Sequence, residues 1–185
     1  MTDPASTAVP ATAARIRPLT ARLVRDQAGD GLASLLLDAV AGGASVGFLA
    51  PLSRADAAGW WRGVAERMER GTRRVWAAYG AGGRLVGTVS LVRAPMPNQP
   101  HRGDLVKLLV HSEARGRGLG AELLATAEAA ARLAGLTLLV LDTETGGAAE
   151  RLYRRVGWTP AGTVPDYALT PAGDPHPTTY YYKRL

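Results

Sequence analysis

The chain is predicted to be an α/β domain with a mixed sheet, on three observations. Apolar residues alternate in some windows and recur every three or four residues in others, so strands and helices are interspersed. Strand-like windows come in close pairs early and late, as hairpins do. Between them an apolar window leads through a glycine-rich turn and an Ala/Leu-rich helix into a further strand, the pattern of a right-handed β-α-β crossover. At 185 residues and 46% hydrophobic content the chain suits one domain with a proper core.

Residues 1–15 are rich in Ala, Thr and Pro and are expected to be a disordered leader to a single domain at 16–185. Residues 16–24 are β-compatible and are predicted as the first strand. Leu32, Leu35, Leu36, Ala39 and Val40 have helical spacing, which predicts a helix over 30–41 ended by Gly42-Gly43. Ser53 is a good N-cap for a helix over 54–70, with Ala57, Trp60, Trp61, Val64 and Met68 on its apolar side. Residues 74–79 and 84–92 read as a hairpin across the turn at 80–83. Pro95, Pro97 and Pro100 make 94–103 a loop, and 104–111 is a strong strand. A helix over 118–134 and a buried strand over 136–142 complete the crossover. Gly146-Gly147 opens a last helix to Val156, closed by Gly157. Strands at 158–164 and 178–183 flank a segment that Pro165, Pro171, Pro175 and Pro177 are expected to make irregular. The predicted order is β-α-α-β-β-β-α-β-α-β-β, with no internal repeat.

The chain has no cysteine, which excludes disulfides, thiolate metal sites and thiol catalysis. His101, His111 and His176 have no metal-ligand spacing, so no metal is expected. The net charge of +6 suits either nucleic acid or a small polyanion. The arginines are scattered, however, and the densest exposed-looking groups, Arg73-Arg74 and Arg154-Arg155, are only pairs with few aromatics between them. A nucleic-acid partner is therefore not expected. The N-terminus has no basic start or apolar run, and the apolar runs are far short of a membrane span. A cytoplasmic protein without a membrane partner is the expectation.

The segment Arg115-Gly116-Arg117-Gly118-Leu119-Gly120 follows a strand and opens a helix. Successive backbone N–H groups converge in such a turn, the helix dipole adds positive potential, and glycines allow close approach, so a pyrophosphate is the natural guest. Gly116-x-Gly118-x-x-Ala121, with Asp142 at the next strand end, also fits a dinucleotide fingerprint, but only about 65 residues follow, too few for a doubly wound domain. The absence of a Lys-Ser/Thr pair after the glycines excludes an ATP-type loop.

Arg115-x-x-Gly118-x-Gly120 resembles the Q/R-x-x-G-x-G/A motif of the GNAT superfamily of N-acetyltransferases. The preceding Leu105-Val106-Lys107-Leu108-Leu109-Val110 is similar to that family's central strand, and Ala149-x-x-Leu152-Tyr153-x-x-x-Gly157-Trp158 to its second signature. The resemblance implies a mostly antiparallel central sheet flanked by helices. It also implies acetyl-CoA as co-substrate and direct transfer to an amine. Leu141-Asp142-Thr143-Glu144, Val164-Pro165-Asp166-Tyr167-Ala168 and Thr179-Tyr180-Tyr181-Tyr182-Lys183 further resemble the tabtoxin-resistance acetyltransferases, which inactivate a β-lactam amino-acid toxin.

By that resemblance, Leu108, Leu109, Val110, Arg115, Gly116, Arg117, Gly118, Leu119, Gly120 and Ala121 would bind the cofactor. Backbone donors near Leu109 and Val110 would serve the oxyanion, and Tyr153 would protonate the leaving thiolate. Asp104 and Asp142 are the carboxylate candidates for the amine proton; the tabtoxin-resistance group has Glu at the first position, one methylene longer. Glu144 is expected to cap the last helix or face water. Many relatives carry Asn where this chain has Gly146, so a backbone contact there would replace a side-chain one. The segments 41–53, 95–101 and 165–177 would set substrate choice. The expected acceptor is a small amino-acid-like amine, such as an antibiotic or toxin, and the protein a monomer or homodimer. Acetylation of a protein N-terminus or lysine, and a non-catalytic acyl-CoA sensor, are the competing readings.

Overall fold

The computed structural model describes residues 14–185. The expected leader lies outside the described residues except for its last two, of which Arg15 opens the first strand. Seven strands form one sheet: β1 (Arg15–Leu19), β2 (Arg73–Tyr79), β3 (Leu85–Arg93), β4 (Arg102–Val110), β5 (Leu138–Glu144), β6 (Thr159–Leu169) and β7 (Pro175–Arg184), in the order β1-β2-β3-β4-β5-β7-β6. Only β4 and β5 are parallel. They are joined through α4 (Leu119–Leu133), the crossover expected from the sequence.

One core fills each face of the sheet. On one face α4 and α5 (Ala148–Arg155) bury Leu123, Leu124, Leu139, Leu141, Tyr153 and Tyr181. On the other, α1 (Ala21–Gln27), α2 (Ala33–Ala41) and α3 (Arg54–Glu69) bury Val24, Leu35, Leu36, Trp61 and Val64 against Val75, Ala77 and Leu109.

The first strand is shorter than predicted. It ends at Leu19, and Thr20 caps α1 by accepting from the Leu23 N–H at 3.2 Å. The β-compatible residues beyond it are therefore helical, because a cap and a core to pack on outweigh weak strand propensity. A single π turn, Ala28–Leu32, joins α1 to α2.

The Pro-rich stretch near the C-terminus is also more regular than predicted. β6 and β7 form a long hairpin with only residues 170–174 outside it. Val164 pairs with Thr178 and Ala168 with His176, so 165–167 bulge opposite Pro177, and Asp166 takes φ 50° there. Pro165 and Pro177, which lack an N–H to donate, thus sit where the ladder is interrupted anyway.

Candidate active site

β4 carries the two irregularities that make a site. Thr88 pairs with Leu109 but Ser90 pairs with Val106, so Val89 faces both Lys107 and Leu108 across a bulge, and Lys107 adopts φ 54°. A bulge re-aims side chains, and Lys107 is sent over the α1–α3 face. There its Nζ donates to the Val46 carbonyl at 2.7 Å and sits 5.3 Å from the Trp60 ring and 5.8 Å from Phe48. The second irregularity is a splay. β5 pairs with β4 only at Arg102, Gly103 and Asp104. From Leu105 onward β4 turns an unpaired edge towards β5, and Leu108, Leu109 and Val110 lie on that stretch.

Beyond Val110 the chain enters the glycine turn. Gly116 and Gly118 take φ 76° and 83°, a left-handed conformation that suits glycine. The α4 N-terminus has no side-chain cap. Among the described residues, no N–H from Gly116 to Gly120 finds a protein acceptor. These free donors, together with the helix dipole and the exposed Arg117, fit a pyrophosphate. Gly120 has another reason to be glycine: a Cβ there would stand 2.9 Å from Leu152 Cδ2, so it lets α4 approach α5.

Arg115 braces this turn. Its Nε donates to the Val110 carbonyl at 3.0 Å, and Nη2 lies 3.5 Å from Asp38 on α2. Asp38 also accepts from the Ser112 N–H (2.9 Å) and Oγ (2.6 Å), with His111 Nε2 at 3.8 Å. Burial works to raise the Asp38 pKa, but the Ser112 hydrogen bonds and the His111 and Arg115 charges hold it below the usual carboxylate value. Sequence reasoning missed Asp38, since a lone acid on a helix carries no signal of what lies opposite. Replacing Asp38 by Ala is expected to raise the KM for acetyl-CoA roughly tenfold, measured by initial rates, because the turn loses its anchor to α2.

Tyr153 lies on α5, 7% exposed, with ring centroids 6.1 Å from Trp158 and 6.0 Å from Tyr181. Its hydroxyl has no hydrogen-bond partner among the described residues. Burial and the nearby Asp142 charge push its pKa upward, so the phenol keeps its proton. Glu150 anchors the helix start. It accepts from Tyr181 Oη (2.7 Å), Arg154 (2.8 Å) and the Gly146 N–H (2.6 Å), which hold its pKa at about 2. The Gly146 N–H is thus already engaged. Glu144, expected at the helix cap or in water, faces His176 at 3.4 Å, and the capping role falls to Glu150.

A depressed carboxylate pKa contributes stability that is present above the ordinary Glu range and lost as pH falls towards the folded value. Glu150→Gln should therefore be less stable by about 1–2 kcal/mol at neutral pH. It should also lose less of its stability on acidification than the parent, as read by thermal unfolding between about pH 7 and pH 3.

Asp104 and Asp142 occupy one face of the sheet, the α1–α3 side, since Asp104 pairs with Val140 two residues from Asp142. Asp104 is half-buried, 3.4 Å from Arg102. Burial raises its pKa, Arg102 opposes this and Asp142 adds to it. Asp142 is exposed and pairs with Tyr180. Arg73, expected on the surface beside Arg74, is instead 9% exposed and its guanidinium lies 5.6 Å from the Trp60 ring; Arg74 points to the other face.

Of the segments expected to set substrate choice, two meet. The Ala50 N–H donates to the Pro171 carbonyl at 2.9 Å and Ser45 Oγ lies 3.4 Å from the Leu169 carbonyl, so residues 42–53 reach the tip of the β6–β7 hairpin. Lys107 holds the same segment down through Val46. The 94–101 loop lies elsewhere, meeting Thr137 just before β5.

A parted strand pair beside a turn of free N–H donors suits an extended co-substrate that carries phosphate, with a buried phenol at hand. Residues 48–158, more than half of the chain, match the acetyltransferase (GNAT) family, and the chain belongs to it. The chain is thus an acetyltransferase by family. The fold resembles an N-acetyltransferase from Staphylococcus aureus Mu50 with TM-score 0.76 and 18% identity, over 92% of this chain and 98% of that one. A ribosomal-protein-alanine N-acetyltransferase from Brucella melitensis gives 0.73 and 25%, over 92% and 99%. A GNAT superfamily phosphinothricin acetyltransferase from Sinorhizobium meliloti in complex with acetyl-CoA gives 0.76 and 16%, over 94% and 89%. No helix among the described residues is long and apolar enough to cross a membrane.

Proposed function

We propose that the protein transfers the acetyl group of acetyl-CoA directly to the amine of a small amino-acid-like molecule, in the manner of an enzyme that disarms an antibiotic or toxin in the cytoplasm. The observation that carries this reading is the strap formed by residues 42–53, tied to the β6–β7 tip at Ser45 and Ala50 and to Lys107 at Val46 between them. It passes over the side of the sheet that holds Asp104 and Asp142, which favours an acceptor that enters whole over a polypeptide lying across the surface. The phosphinothricin acetyltransferase likeness agrees with the tabtoxin-resistance resemblance.

In this reading Asp104 or Asp142 accepts the proton of the acceptor ammonium, giving a neutral amine. Backbone N–H groups of the splayed Leu108–Leu109–Val110 stretch stabilise the oxyanion, and Tyr153 gives its proton to the departing thiolate. Gly116 to Ala121 hold the pyrophosphate, Arg115 keeps the turn in place and Arg117 adds charge. Gly146 gives its N–H to Glu150 and its carbonyl to Arg151, so its part would be to open α5 beside the donor.

The test is thiol release from acetyl-CoA with free amino acids, β-lactam amino acids, aminoglycosides, polyamines and short peptides. Release with free or β-lactam amino acids alone supports the proposal, and release with aminoglycosides or polyamines alone moves the acceptor outside the amino-acid class. Release with N-terminal alanine peptides alone would replace it by protein acetylation, the reading that the Brucella likeness favours. Acetyl-CoA binding without release from any amine would favour a sensor.

A further inference from the structure

Three buried side-chain atoms among the described residues have no hydrogen-bond partner: Arg73 Nε, Ser90 Oγ and Arg102 Nε. Strand register puts all three on the same face. Arg73 pairs with Val92, which pairs with Asp104; one row further, Val75 pairs with Ser90, which pairs with Val106. Side chains on a strand alternate, so Arg73, Ser90, Arg102 and Asp104 all point to the α3 side.

Two cations on this face form no ion pair among the described residues with Asp104 and Asp142, the carboxylates it carries. Arg73 makes no ion pair, and Lys107 donates only to the Val46 carbonyl; their charged ends lie 5.6 Å and 5.3 Å from the centroid of the same Trp60 ring. Burial, with Arg67 adding, pushes the Arg73 pKa down to about 10. Burial and then Arg73 lower that of Lys107, with Asp142 opposing. Buried like charges of this kind are costly, and an apolar side chain in place of Arg73 would serve the fold better. An anion that arrives with a ligand would offset both charges. The donor's pyrophosphate is too far away: its cradle begins after Val110, whereas Arg73 lies level with Asp104, six residues and ~20 Å back along β4. The anion therefore belongs to the acceptor.

We propose that Arg73 and Lys107 bind a carboxylate or similar oxyanion of the acceptor while Asp104 and Asp142 receive its amine. The acceptor is thus a small zwitterion, an inference that rests on the small-amine reading above. Arg73 and Asp104 stand two strands apart, roughly 10 Å between backbones, so only a few bonds separate the acceptor's anion from its amine.

The test compares matched amines, amino acids against their carboxamides, in the parent and in Arg73→Met, a change that keeps the bulk and removes the charge. The parent should prefer the carboxylate by ~10- to 100-fold in kcat/KM, and R73M should bring that ratio close to one. R73M should also melt at a higher temperature, showing that the lost preference is not lost folding. A parent without preference, or an R73M enzyme that keeps it, overturns the proposal. A second measurement covers an enzyme silent with every small amine, which would sink the small-amine reading alone. Thermal stabilisation by glutarate without acetyl-CoA, present in the parent and absent in R73M, supports the anion subsite; equal stabilisation of both, or none in either, overturns it.

Discussion

Turnover of the Tyr153→Phe variant is expected to fall by ~10²- to 10⁴-fold with acetyl-CoA binding retained. The substitution removes a hydroxyl that has no partner among the described residues, so it strands no buried polar atom. The ring keeps its neighbours Trp158 and Tyr181. What disappears is a proton donor. Because burial and Asp142 raise the Tyr153 pKa, the phenol remains protonated throughout the working range, and deprotonation of Tyr153 should impose no alkaline fall near its ordinary pKa in the parent. Rates at saturating substrate, set beside calorimetric titration with acetyl-CoA, separate the two effects. A phenylalanine enzyme that turns over like the parent would remove Tyr153 from the chemistry.

The second large effect concerns the carboxylates. A general base must be ionised to act, so kcat/KM is expected to rise with pH through the pKa of the acting acid. For Asp104 that pKa is raised, chiefly by burial, so the acid limb should lie above the ordinary carboxylate range. Asp104→Asn should remove the limb and lower the rate by ~10²-fold or more. Asp142→Asn removes a like charge that raises the Asp104 pKa, and should move the limb to lower pH while leaving it in place. The reverse pattern, with the limb lost in D142N and merely displaced in D104N, assigns the base to Asp142.

Local sequence logic reached the crossover, the hairpins and the glycine turn because each depends on residues close in the chain. Ser53 caps α3 as its type predicts, accepting from the Asp56 N–H at 3.0 Å. Thr20 is an equally ordinary cap, but it stood within a β-compatible run, and the core that decided between the two readings lay largely on α3, distant in sequence. The candidate site divides in the same way. Tyr153 and the glycines sit in contiguous motifs. Arg73 and Asp38 acquire their surroundings from strands and helices distant in sequence, as Glu150 does its bond from Tyr181, and Arg73 next to Arg74 looked like surface charge. Lys107 was the one readable exception: a lysine amid Leu105, Val106, Leu108 and Leu109 is out of place unless the strand is distorted there. The splay of β4 from β5 was implied only by resemblance, because pairing that stops partway along a strand leaves no local trace.

The π turn at Ala28–Leu32 has a consequence for which insertions and deletions the chain can accept. A π turn holds one residue more than the α turn it replaces, so it works as a phase adjuster. It lets Val24 before it and Leu35, Leu36 and Ala39 after it face the same core, while Asp38 emerges towards Ser112 and Arg115. Deleting one residue from 28–32 would restore uniform helix with both halves still in phase, whereas straightening the turn with every residue kept would rotate the two halves against each other by about 100°. In the second case either the core face or the Asp38 brace would be misaimed, so the phase of this helix is tied to the geometry of a turn some 75 residues away as firmly as any side chain in it.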